Sequence, residues 1–90
     1  MEIKSIMTTD FEHCFVCGKQ AQQWHHVMNK SDKKKSEKYG LLIPVCSVCH
    51  AKIHDTDEEL NKRIKKIAQA DFMKDHTFAD WLRIFGKSYL

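Results

Sequence analysis

No apolar run in this chain approaches the ~20 residues that a membrane-spanning helix needs, which excludes that class of protein. The opening residues, MEIKSIMTTDFEHC, have neither the basic start nor the long apolar core of a secretion signal. The chain is therefore expected in the cytoplasm. Strong charge of one sign is missing too: a formal net charge of +3 with 30% charged residues is a mild bias, far from a histone-like composition. Apart from two Cys-x-x-Cys units there is no internal repeat and no low-complexity tail. Length is the tightest limit. Ninety residues make one domain, 1–90, with too little interior for comfortable stability, so a staple such as a metal ion would help.

What the chain does have is cysteine and histidine in short spacings. Cys14 and Cys17 form one Cys-x-x-Cys pair and Cys46 and Cys49 a second. In a reducing compartment such pairs read as metal ligands more readily than as disulfides. Two such turns together offer four thiolates in a tetrahedron, which suits a structural Zn²⁺ with no open position. The competing reading is a set of reduced core thiols, or a mixed site drawing on His13 or His50.

The stretch VCSVCHAKIH adds His50 and His54, four residues apart. On a helix turning about 100° per residue they lie about 40° from each other, as two imidazoles sharing a metal do. Cys49 is turned about 100° from His50. Thiolates and imidazoles thus point in different directions, which predicts two metal sites rather than one. A third ligand for the second site is available in WHHV, where His25 and His26 are adjacent on a predicted strand. Neighbours on a regular strand face opposite ways, so both reach one site only if the strand ends or bulges there. If it does, His25 completes a three-histidine site with an open position and His26 is left free as a base. Such a site suits Zn²⁺, Ni²⁺ or Mn²⁺, and accepts Mg²⁺ when a phosphate adds oxygen ligands. His13 and His76 are expected to be ordinary surface or core residues.

The architecture expected from patterning is α+β. Residues 1–12 show no period and read as a loop or short irregular strand. CFVCGK forms a metal-binding turn in which Gly18 lets the backbone curl. Short strands over 21–27 and 41–45, the second with Pro44 near its end, form a hairpin. The segment between them, 28–40, is polar and Lys-rich and reads as an exposed loop. Helices follow: one from about Val48 to His54, one carrying Leu60, Ile64, Ile67, Ala68 and Phe72 at helical spacing, and one opening on a Thr77–Asp80 capping box and closing at Gly86. The last has a stripe of Phe78, Trp81, Leu82 and Phe85. Between Gly18 and His54 seven Lys face two acids, so the half carrying the metal ligands is the cationic one.

Taken together, CFVC, WHHV and VCSVCHAKIH resemble the HNH, or ββα-metal (His-Me finger), endonucleases, in particular small phage-type versions with a four-cysteine zinc scaffold. The resemblance covers residues 13–54, a zinc-stapled ββα-metal core, with 55–90 as a helical C-terminal extension. It implies that His25, His50 and His54 hold a divalent catalytic cation and that His26 is the general base. It also implies hydrolysis of DNA phosphodiester bonds, with Lys30, Lys33, Lys34, Lys35 and Lys38 holding neighbouring phosphates. The chain would be phage- or bacterium-encoded and act in the cytoplasm, beside a recombination or packaging partner; its oligomeric state is left open. One departure stands out. Where the family has the Asn that braces the base, this chain has Leu41, and the nearest Asn is Asn29. A backbone or other polar contact has to replace it. The alternative function is a non-catalytic zinc module binding nucleic acid or protein, which explains the cysteines and lysines but not the histidine spacings. A third, an adaptor docking through the Trp81/Phe85 helix, has only the apolar stripe behind it.

Overall fold

The computed structural model describes residues 5–28 and 32–90. Its architecture is α+β: a two-stranded antiparallel hairpin followed by helices, with a further short helix inside the hairpin connection. Strands β1 (Gln23–His26) and β2 (Leu42–Val45) pair in the register Gln23↔Val45, Trp24↔Pro44, His25↔Ile43, His26↔Leu42. All of β2 is buried. Pro44 has no N–H to give, which a two-stranded sheet tolerates, and its carbonyl accepts from Phe15 N–H at 2.8 Å. The preceding chain is irregular but anchored: Ser5 Oγ donates to the Leu42 carbonyl and Ile6 N–H to the Gly40 carbonyl.

The hairpin connection departs from the expected loop. Its Lys-rich part forms helix α1 (Lys33–Tyr39), while Asn29 and Lys30 lie outside the described residues. Lys and Glu are good helix formers, and Gly40 closes the helix in the left-handed conformation at φ 72°. Tertiary contacts hold it in place. The fully buried Ser36 accepts from Met28 N–H at 2.9 Å and donates to the Met28 carbonyl at 2.5 Å. Tyr39 sets its ring edge-on against Phe72 and Phe85. None of these contacts creates a periodic apolar pattern, so the segment reads as a loop from sequence.

Helix α2 (Ser47–Ala51) starts at Cys46, whose sulfur accepts from Cys49 N–H. It runs into a π-helical turn, Lys52–Thr56, closed by the Asp57 N–H to Lys52 carbonyl bond at 2.8 Å. This wide turn redirects the chain, and a new helix, α3 (Glu58–Phe72), starts with Asp57 accepting from Leu60 N–H. Glu58 and Glu59 complement the positive end of its dipole. α4 (Phe78–Phe85) has the expected capping box, with Thr77 and Asp80 exchanging 3.1 Å hydrogen bonds, and ends at Gly86.

One apolar cluster joins these parts, from Cys14, Val27, Ile43 and Val45 through Ile53 and Ile64 to Phe72, Trp81 and Phe85. The expected helical stripes are narrower than the sequence suggests. Phe78, Leu82 and Ile67 are exposed, and α4 enters the core through the buried Trp81 and Phe85, with the partly buried Ile84 packed against it. Among the described residues no helix is long and apolar enough to cross a membrane.

Candidate metal centres

Among the described residues two separate ligand clusters form, one of Cys14, Cys17, Cys46 and Cys49 and one of His25, His50 and His54. In each, the ligand atoms lie within 4.8 Å of one another. The division follows from local geometry. Cys49 and His50 are consecutive on α2, so a rotation of about 100° sends them to different sides of the helix.

The cysteine cluster is built from the two Cys-x-x-Cys turns. Gly18, at φ 79°, lets the first turn close, and its N–H donates to the Cys14 carbonyl. The second turn is the start of α2. Cys17 and Cys46 sulfurs are 3.7 Å apart. The edge of a ZnS₄ tetrahedron is about 3.8 Å for Zn–S bonds of about 2.3 Å, so the spacing fits zinc. Cys14, Cys46 and Cys49 are buried and Cys17 is exposed. Burial resists ionisation of Cys14, but backbone hydrogen bonds from Cys17, Cys46 and Val16 outweigh it and draw its thiol down to about 6. Burial and the surrounding cysteines push Cys49 up to about 12. Four thiols this close cannot all carry charge unless a cation sits among them. Four thiolates on one ion would leave it no open position, the form of a structural zinc site.

The histidine cluster joins the end of β1 to the helical segment. His25 is 1% exposed, and its Nε2 has no hydrogen-bond partner. An unpartnered buried nitrogen is costly unless it has a ligand to meet. His50 and His54 bring their Nε2 atoms to 3.0 Å, close to the edge of about 3.3 Å expected for two imidazoles on one zinc. Burial, then repulsion from His54, His50, His26 and Lys65, lowers His25 to about 3. Burial and then His54 lower His50. Neutral imidazole is the form that binds metal. Gln23, two residues before His25 and on the same strand face, accepts from His50 Nδ1–H, which directs the His50 Nε2 lone pair toward the cluster. The sequence offered one hint of Gln23, its alternation with His25. Three imidazoles leave a fourth position open, the form of catalytic zinc sites.

His26 stays outside the ligand set. The strand ends at this residue, and its Nε2 lies 2.9 Å from Glu37 Oε1 of α1. Sequence reasoning missed Glu37. The lysines differ among themselves. Lys33, Lys34 and Lys38 are exposed on α1, with the Lys38 ammonium over the Tyr39 ring. Lys35 pairs with Asp32 and donates to the Ile84 carbonyl at 2.7 Å, tying α1 to the end of α4. His13 bonds Asp10 at the surface and His76 stacks on Phe72, and neither belongs to a ligand cluster.

No protein-family model matches this chain, and no solved structure does. Among curated proteins, the mitochondrial DNA mismatch repair protein mutS homolog of Sarcophyton glaucum is 40% identical over 48 residues, covering 48% of this chain and 5% of that protein. The chain thus spans a small part of that relative's length and is similar to it over one segment.

Proposed function

We propose that the chain is a metal-dependent endonuclease of the HNH type acting on DNA, with the four cysteines holding structural zinc. The observation that carries this reading is the buried, unpartnered Nε2 of His25 facing His50 and His54, with His26 next to it but outside the ligand set. A closed zinc module has no need of that second cluster. Partial similarity to a DNA mismatch repair protein favours DNA as the polymer.

In this reading His25, His50 and His54 would hold a divalent cation, which would supply positive charge against the negative charge that develops as a phosphodiester bond is cleaved. His26 takes a proton from the attacking water. The products are 5′-phosphate and 3′-hydroxyl ends. Exposed Lys33, Lys34 and Lys38 hold flanking phosphates, giving affinity without sequence choice.

Metal counting and nicking together test the proposal. The wild-type chain should hold two metals and nick plasmid DNA when a divalent cation is supplied. Replacing His50 and His54 by Ala should remove one metal and leave the fold. His26→Ala should keep both metals and DNA binding but lose nicking. One metal per chain with no cleavage at any divalent cation tried would instead establish a zinc-binding interaction module. Full cleavage by a pure His26→Ala preparation would remove His26 from its role.

A further inference from the structure

We infer that Glu37 is the positioning residue for His26, the contact that stands in for the missing Asn. The inference rests on the reading of His26 as the base. The side chains belong to different elements, one at the end of β1 and one in the middle of α1, and meet at 2.9 Å. An ionised carboxylate can only accept. The Glu37 contact therefore requires the proton on His26 Nε2, which leaves the lone pair on Nδ1 for the water. A base whose second nitrogen is held by an acceptor keeps one tautomer and one ring orientation.

The surroundings favour this over a casual surface ion pair. Glu37 is the only acid within α1, amid Lys33, Lys34, Lys35 and Lys38. The residue before it, Ser36, pins the helix to both backbone groups of Met28, two residues beyond His26. Leu41 N–H and Gly40 N–H both donate to the Ser36 carbonyl, so the exit of α1 is fixed as well. Glu37 thus approaches the imidazole from a short helix anchored at the strand it serves. The His26 side chain is 19% exposed and that of Glu37 44%, so the imidazole is shielded while keeping access to solvent.

The test combines a spectroscopic readout with kinetics, on the zinc-loaded chain with Mg²⁺ or Mn²⁺ and plasmid DNA. Imidazole ¹⁵N shifts should show His26 as the Nε2–H tautomer in the wild type and as a mixture in Glu37→Ala. Nicking by Glu37→Ala should fall about tenfold to a hundredfold in kcat, the usual cost of losing an orienting partner, with KM little changed. Glu37→Gln keeps an acceptor oxygen and should recover most of the rate and the tautomer. In a His26→Ala background, Glu37→Ala should cost nothing further. If His26→Ala is inactive while Glu37→Ala matches the wild type in tautomer and kcat, Glu37 has no positioning role. If His26→Ala itself cleaves fully, the failure lies with the base, and the tautomer measurement still reports whether Glu37 holds the ring.

Discussion

At the scale of single residues, His25 is the side chain whose burial works against stability. A neutral imidazole with 1% exposure and an unpartnered Nε2 carries a desolvation cost of about 1–3 kcal/mol. His25→Leu, close to it in volume, removes that cost. Thermal melts without added divalent cation should show the variant at least as stable as the wild type. With excess divalent cation the order should reverse, because only the wild type gains from binding. A variant that loses stability in both conditions would mean that His25 is held by packing alone.

At the scale of elements, the chain divides into parts held locally and parts held from a distance. The capping box of α4 is local: Thr77 and Asp80 satisfy each other's backbone N–H. Thr77→Ala should therefore cost about 1 kcal/mol of unfolding free energy in urea titrations. The Asp80 carboxyl is held below its usual range, first by Thr77 N–H and then by Arg83. A carboxyl depressed in the folded state lends stability that is present above its unfolded pKa and lost as pH falls through the lower folded value. Asp80→Ala, which removes the titrating carboxyl itself, should accordingly lose less stability in acid urea titrations than the wild type. Such local features could be read from spacing alone, as could both Cys-x-x-Cys turns and the separation of Cys49 from His50. Helix α1 could not, since it depends on Ser36 meeting Met28 and Tyr39 meeting Phe72 and Phe85. Glu37 was hidden for the same reason: its partner is eleven residues away on another element.

At the scale of the whole molecule, the cysteines belong to the same cluster as the apolar core. Cys14, Cys46 and Cys49 are buried with Val45, Ile53 and Ile64, so in a chain this small metal binding at the thiols is folding free energy. A strong zinc chelator should abolish the helical circular dichroism of the zinc-loaded protein. The double replacement of His50 and His54 by Ala should leave that signal in place. Survival of the fold after complete zinc removal would show that the apolar core suffices. The two clusters also share one rigid part, since the five residues of α2 contain both Cys49 and His50. On the proposed two-metal reading this would impose an order of maturation. Zinc would have to arrive while the chain is still taking shape, whereas the ion among the imidazoles could come and go afterwards. A shortage of zinc would then leave newly made chains dormant as a group, and a passing shortage of the second metal would only pause those already finished.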